Sequence, residues 1–392
     1  MKKLIVVMAA AAVFAMLALP AMAATEWKFG ASLRYETFWN QVDYGKGNGP
    51  DLQSGGVTNL DDDGVLAWGL RNNSRIRMNM KSDALEGYIE LGYDYDANTI
   101  TAREYWGRYK FSDDWAITIG QQHQLFNTVG LSNQVWGGDL GMHGLGTSWR
   151  GATPKITLSY GSFSFALAQP YTGNHKAIAG LPAAPNNTYD KDTYLPALQA
   201  SYQYRTDTWR VKLAGAYLHQ QFNDIQNTSD ENVHSWLVSL DGTINFGPLY
   251  LAGAASVGQN WADAEWNTKS SIDARYTNGK ALNTFGVRIY NGDFESTTSA
   301  MLAAIAGYQL TEALRFEAGA GYRYDANKSF ETNSHILNIY VQARYNVAPG
   351  FSITPEIGYI DLGKGIGNKA TNTKGTDLGY TWYAGAKWQM DF

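Results

Sequence analysis

The sequence predicts an all-β protein, a transmembrane antiparallel β-barrel of about 16 strands. Apolar and polar residues alternate along most of the chain, as they do in strands with two different faces. Short turns alternate with long loops. The 392 residues also include 13 Trp, 25 Tyr and 15 Phe, beside a mean hydropathy of −0.33. A barrel that meets lipid outside and water inside combines these features.

The composition excludes several other classes of protein. The chain contains no Cys, which excludes disulfide scaffolds, Cys-ligated zinc and iron–sulfur clusters. A formal net charge of −5 argues against a general nucleic-acid binder. Beyond the first residues, no run approaches the ~20 apolar residues of a membrane-spanning helix.

Residues 1–23 are predicted to be a secretory signal peptide. Two lysines precede an apolar stretch, and Ala21 and Ala23 supply the small residues of a cleavage site. An N-terminal membrane anchor is the alternative, but the apolar stretch is short for spanning a bilayer. Residues 24–392 then form the barrel domain.

The predicted strands follow from the alternation. In the first strand Trp27, Phe29 and Leu33 share a face, opposite Lys28 and Arg34. The sixteen predicted strands cover residues 26–39, 65–81, 87–96, 99–111, 115–124, 150–160, 163–170, 195–205, 208–219, 233–246, 249–258, 296–310, 314–325, 335–347, 351–361 and 378–392.

The connections between these strands differ in length at the two ends of the barrel. Short turns lie near residues 82–84, 112–114, 161–162, 206–207, 247–248, 311–313 and 348–350. Longer loops cover residues 40–64, 125–149, 171–194, 220–232, 259–295, 326–334 and 362–377. Short periplasmic turns and long extracellular loops are typical of transmembrane barrels. A propeller or β-helix would instead show a fixed sequence repeat, and none is visible.

Three stretches resemble the trimeric general porins of bacterial outer membranes. They are residues 73–80 with 85–88, residues 103–122, and the C-terminal residues 386–392, which end in Phe392. The resemblance implies a water-filled channel for small hydrophilic solutes or ions, without cofactor or enzymatic activity. It further implies a homotrimer in the Gram-negative outer membrane, in contact with lipid and lipopolysaccharide, with Phe392 read by the assembly machinery.

Two loops depart from the porin pattern. The second loop of that family is usually long and latches onto a neighbouring subunit, whereas only residues 97–98 separate the strands here. The third loop of the family folds into the lumen and carries several acids. The corresponding candidate constriction loop, residues 125–149, carries only Asp139.

The second strand supplies the candidate wall of the constriction. Arg71, Arg75, Arg77 and Lys81 share one strand face. Arg at mid-depth on the lipid face of a barrel costs ~2–4 kcal/mol, so this face is predicted to line the lumen.

Arg108 and Lys110 are predicted to extend this basic wall, and Arg150 follows the constriction loop. With Asp139 as the only acid facing these cations, the sequence predicts a weak anion preference. The alternative is a solvated barrel wall with no role in selection.

Other readings stay open. A solute-specific channel for a sugar or an anion is one alternative, with Trp106 and Tyr383 as inward aromatics. A structural or adhesion barrel with a plugged lumen is another. Residues 61–64 contain three consecutive Asp, which indicates a solvated loop or a divalent-cation contact. The six His show no metal-ligand spacing, so no metal site is predicted.

Overall fold

The computed structural model describes residues 25–43, 63–71, 73–94, 99–171, 190–225, 229–266, 286–290, 293–364, 366, 369, 372, 374–375 and 377–392. The predicted signal peptide and the short 97–98 loop lie outside the described residues. Of the acidic stretch 61–64, only residues 63 and 64 are described.

Sixteen strands form one closed antiparallel wall, as predicted. Their bounds are β1 Glu26–Asp43, β2 Asp63–Leu70 with Arg75–Lys81, β3 Leu85–Asp94, β4 Thr99–Lys110, β5 Trp115–Gln122, β6 Thr153–Tyr160, β7 Phe163–Ala168, β8 Asp190–Asp192 with Ala197–Arg205, β9 Trp209–Ile225, β10 Ser229–Phe246, β11 Leu249–Gln259, β12 Thr298–Gln309, β13 Leu314–Ala326, β14 Ser334–Ala348, β15 Phe351–Asp361 and β16 Tyr380–Asp391. Each strand pairs with its sequence neighbours, and β1 pairs with β16.

The closure extends to the last residue of the chain. The backbone N–H of Phe392 donates to the carbonyl of Ala31 at 2.9 Å, and Ala31 donates back at 3.2 Å. A closed ladder leaves no open sheet edge, and unpaired edge groups are what hydrocarbon cannot satisfy. Within the part of the chain that the structure describes, no helix is long and apolar enough to cross a membrane.

Strand β2 is interrupted, whereas the sequence predicts a continuous strand over 65–81. Ser74 N–H donates to the carbonyl of Arg71 at 2.8 Å, which makes a local turn. The Ser74 hydroxyl then accepts the Arg34 N–H at 2.9 Å and donates to the Arg34 carbonyl at 3.1 Å. A serine side chain thus takes the place of one rung of the β1–β2 ladder.

The two faces of the wall differ as the alternation predicts. Outward residues such as Trp68 and Leu302 are 62% and 57% exposed. Their neighbours along the same strands, Ala67 and Met301, are buried on the inner side. The outward face therefore suits lipid, and the inner face encloses polar groups and folded loops.

Tyrosine–glycine pairs shape part of the inner wall. Three directly opposed pairs occur: Tyr250 with Gly307, Tyr340 with Gly319, and Tyr383 with Gly358. A Cβ at Gly319 would collide with the Tyr340 ring, and one at Gly358 would collide with the Tyr383 ring. Each ring therefore lies flat over its glycine, with its hydroxyl directed along the wall.

We expect Leu302→Arg to destabilise the barrel by about 2–4 kcal/mol, because the charge would sit on the lipid face near mid-strand. Urea unfolding in lipid vesicles measures the change. Leu310→Arg is the matched control at the turn end, where the same substitution costs about 0–1 kcal/mol. Equal effects at both positions would contradict the assignment of the lipid-facing band.

Candidate functional site

The constriction loop 125–149 lies against inward side chains of the barrel, and Trp136 is its apolar anchor. The Trp136 side chain is 1% exposed. Its ring stacks on Tyr383 with centroids 4.6 Å apart and an interplanar angle of 15°. Its Nε1–H donates to Asn40 Oδ1 at 2.7 Å. The anchor therefore joins the loop to β1 and β16 at once.

Two inward carboxylates hold the backbone that precedes this anchor. Glu356 of β15 accepts the N–H groups of Val135 at 2.7 Å and Trp136 at 3.1 Å. Glu317 of β13 accepts the Asn133 N–H at 2.8 Å. The Tyr340 hydroxyl also donates to Glu317 at 2.5 Å. Together these hydrogen bonds fix the loop across three neighbouring strands.

The loop tip depends on backbone conformations that favour glycine. Gly137 and Gly138 have φ values of 66° and 84°. A Cβ on Gly138 would approach the Arg71 guanidinium to 2.5 Å. Asn73 Nδ2 donates to the Gly138 carbonyl at 2.9 Å and to Asp139 Oδ2 at 2.5 Å. The two glycines thus let the tip reach the wall of β2.

Asp139 binds cations on both sides of the β1–β16 closure. Arg34 Nη1 lies 2.6 Å from one carboxylate oxygen, and Lys387 Nζ lies 2.7 Å from the other. Burial alone would raise the pKa of Asp139, but the charges of Lys387 and Arg34 outweigh it and lower the pKa from 3.8 to about 2. The acid at the loop tip is therefore ionised at every physiological pH.

A second loop segment also folds inward, and sequence reasoning missed it. Trp261 and Trp266, which follow β11, are fully buried. They share an apolar cluster with Phe126 and with inward residues of the wall that include Leu218 and Leu237. This cluster fills the lumen beside β7–β12. The available signal was the pair of tryptophans in an otherwise polar loop.

A cavity of about 990 Å³ lies in the lumen beside the constriction loop. It is lined by β1, β2, β4, β13–β16 and the loop. Its cations are Arg34, Arg71, Arg75, Arg103, Arg315, Arg344 and Lys387. Asp139 is the only carboxylate among its described lining residues. The space that a solute can occupy is therefore strongly basic.

Acids behind the surface partly neutralise the cations that the sequence singled out. Glu90 of β3 is 1% exposed. It binds Arg75 at 3.1 Å, Arg77 at 2.9 Å and Arg103 at 2.8 Å. Arg71 is paired with Glu36 of β1. The basic wall is thus an ion-pair network in which the carboxylates lie deeper than the guanidiniums.

Arg77 and the remaining predicted cations do not line this cavity. Lys110 lies 2.6 Å and Arg108 3.9 Å from Glu86, and Lys81 is directly opposite Glu86 in the β2–β3 register. These three belong to the turn end of the barrel. Arg150 is at the base of the loop, where its guanidinium lies 3.3 Å from Glu265.

Five cavity cations were absent from the prediction: Arg34, Arg103, Arg315, Arg344 and Lys387. Four of them occupy inward positions in the strand alternation, so the sequence pattern could have predicted that they line the lumen. Arg103 lies beside a register shift between β3 and β4, so its direction could not be read from the alternation. Across the described ranges, no group of three or more His, Asp or Glu could hold a metal ion.

We expect Trp136→Ala to release the loop from the wall. Truncating a buried tryptophan to alanine reduces stability by about 3–5 kcal/mol. This loss is larger than the stabilisation that any one of the remaining contacts at the loop tip provides. Single-channel recording should then show larger and noisier conductance than wild type. Trp115→Ala, on the outer face, is the control and should leave conductance unchanged. A quiet channel of wild-type conductance for Trp136→Ala would contradict the anchoring role.

The contribution of Asp139 to loop docking should be insensitive to pH until strong acid. Because the pKa of Asp139 is lowered from 3.8 to about 2, its charge stabilises docking above about pH 4, and this contribution is lost as the pH falls towards 2. Conductance noise measured from pH 7 to pH 2 tests this. Asp139→Asn should be noisier than wild type at neutral pH and should lack the acid transition at this site.

No protein-family model and no curated protein matches the sequence, whereas several solved structures of outer-membrane proteins are similar to this one. The structure is similar to the outer membrane channel DcaP of Acinetobacter baumannii, with a TM-score of 0.64 and 13% identity over 95% of this chain and 99% of that one.

Two further solved structures show the same likeness. The anion-selective porin from Comamonas acidovorans has a TM-score of 0.56 and 11% identity over 94% of this chain and 100% of its own. The trimer form of OmpT, an outer membrane protein of Vibrio cholerae, has a TM-score of 0.52 and 12% identity over 94% of this chain and 100% of its own. The chain therefore has the fold of the bacterial outer-membrane porins.

Proposed function

We propose that the protein is an outer-membrane porin through which small hydrophilic solutes diffuse, with a weak preference for anions. The observation that carries this proposal is the cavity of about 990 Å³ inside the barrel, lined by seven Arg or Lys side chains and one Asp. A wall of one charge sign raises the local concentration of the opposite ion. The likeness to a channel and to an anion-selective porin supports the same function.

The preference is expected to be weak because the cations are compensated from behind. Among the cavity cations, Glu90 binds Arg75 and Arg103, and Glu36 binds Arg71. Solutes meet the guanidiniums first, since both carboxylates are almost fully buried. The field in the lumen is therefore positive but smaller than seven isolated cations would produce.

The setting of this channel is proposed with it. An apolar outer face with an aqueous interior fits the Gram-negative outer membrane, with lipid and lipopolysaccharide around the barrel and Phe392 as the mark read by the assembly machinery. A homotrimer is proposed from the resemblance and from the trimer form of the OmpT structure.

The geometry favours a general or anion channel over a sugar channel. Tyr383 lies beneath Trp136 and is 1% exposed. Trp106 packs against Tyr88 with ring centroids 5.6 Å apart. Neither residue lines the cavity, as sugar stacking would require. A plugged structural barrel is disfavoured by the open space that the two inward loop segments leave.

Reversal potentials across a planar bilayer in a KCl gradient test the proposal. A general anion-preferring porin should pass chloride more readily than potassium, and liposome swelling should fall smoothly as sugar size increases. Clear cation selectivity would overturn the anion preference. Absence of both current and swelling would overturn the channel itself.

We expect Glu90→Gln to strengthen anion selectivity, because it removes the charge that compensates three guanidiniums. The permeability ratio of chloride to potassium should rise by about twofold or more. Glu295→Gln is the matched control, since Glu295 binds Lys328 at 2.8 Å outside the cavity. An unchanged ratio in a correctly folded Glu90→Gln channel would show that the wall does not select.

A further inference from the structure

We propose that Arg315 and Arg344 form a binding subsite in the lumen for a doubly charged oxyanion, either free or carried by a small organic solute. This inference rests on the proposed channel function and gives it a ligand class. The subsite is separate from the basic wall of β2 and β4, because it is built on β13 and β14.

The strand register places the two arginines directly opposite one another on the inner wall. Arg315 is directly opposite Arg344 in the β13–β14 ladder. Both are inward positions, and both side chains line the cavity. Like charges directly opposite one another in a sheet are destabilising. Such a pair on a lumen wall is therefore a place where a counter-ion gains binding free energy.

Neither arginine forms an ion pair with a carboxylate within the described ranges. The other five cavity cations all contact an acid: Arg34 and Lys387 bind Asp139, Arg71 binds Glu36, and Arg75 and Arg103 bind Glu90. No ion pair of Arg315 or Arg344 occurs in the part of the chain that the structure describes. The carboxylate of Asp391 interacts electrostatically with Arg344 without forming an ion pair. Its two oxygens accept hydrogen bonds from Gln389 Nε2 at 2.9 and 3.0 Å.

At this position a guanidinium N–H group also lacks a hydrogen-bond acceptor from the described residues. The Nε of Arg344 is buried and has no acceptor among the described atoms. The guanidinium of Arg315 lies over the Tyr250 ring at 6.0 Å from its centroid, which limits where its donors can point. The subsite thus offers donors that the protein does not itself satisfy.

The neighbouring strands add a hydroxyl and a further charge at the same level. Gln342 pairs with Glu356, and Tyr345 pairs with Ile353, so Arg344 falls level with Thr354. Thr354 in turn is directly opposite Lys387. Both Thr354 and Lys387 line the cavity. The order along this row is guanidinium, guanidinium, hydroxyl and ammonium.

This arrangement selects the ligand by its shape and charge. The guanidinium fork binds two oxygens of a phosphate or carboxylate at once. A tetrahedral dianion can present separate oxygens to both forks, whereas chloride offers a single charge and no fixed geometry. The subsite therefore favours a phosphate-like group over the halide that carries most of the current.

Phosphate should consequently act as a saturable inhibitor of chloride current in wild-type channels at about pH 8, where a phosphate group carries close to two charges. We expect Arg315→Gln/Arg344→Gln to raise the half-inhibiting phosphate concentration by about tenfold or more, since two charge-assisted contacts are lost. Glycerol phosphate as a second probe distinguishes a free ion from a phosphate carried by an organic solute.

Two further variants separate a built subsite from general lumen charge. Arg108→Gln/Lys110→Gln removes the same charge at the turn end and should leave the half-inhibiting concentration within about twofold of wild type. Arg315→Lys/Arg344→Lys keeps both charges but loses the forks and should bind phosphate weakly. If phosphate inhibited the chloride current of the Arg315→Lys/Arg344→Lys or the Arg315→Gln/Arg344→Gln channel at the same concentration as in wild type, the proposed subsite would be wrong.

Failure of the channel proposal gives a different result. Wild-type conductance in KCl alone reports whether a pore exists, before any phosphate is added. If no pore forms, calorimetric titration of phosphate into the detergent-solubilised wild type and Arg315→Gln/Arg344→Gln still decides the subsite. Equal heats for both proteins, or no binding by wild type, would overturn it.

Discussion

Closure of the hydrogen-bond ladder between β1 and β16 is the constraint on which the rest of the structure depends. Only a closed ladder satisfies every strand edge in hydrocarbon, and here it continues to the backbone of Phe392. Once the ring is closed, each strand has one face for lipid and one for the lumen. The inward positions then become a shared surface on which distant parts of the chain meet.

The constriction loop uses that surface in a way that combines burial with charge. Trp136 supplies an apolar anchor between β1 and β16, and Glu317 and Glu356 hold the backbone N–H groups before it. Asp139 then ties the tip to Arg34 and Lys387. Because these contacts involve four strands, the loop and the wall stabilise one another, and together they set the width of the lumen.

The electrostatic potential of the lumen depends on how deeply each charged group is buried as well as on how many charged groups there are. Glu90 and Glu36 lie behind the guanidiniums that they bind, so the lumen surface remains basic although the chain carries a net charge of −5. Arg315 and Arg344 differ from the other cavity cations in having no acid of their own within the described wall. Net charge is consequently a poor guide to what such a channel attracts.

The sequence by itself determined the sixteen strands, their alternating faces and the inward direction of Arg71, Arg75 and Arg77, because period-two alternation is a local property that a barrel preserves. The break at Ser74, the inward fold of Trp261 and Trp266, and the pairing of each cation were decided only by tertiary structure. Opposed residues such as Arg315 and Arg344 are brought together by strand register, which alternation within one strand does not specify. The open volume depends on how two loops pack inside a ring, and that is settled by contacts between residues far apart in the chain.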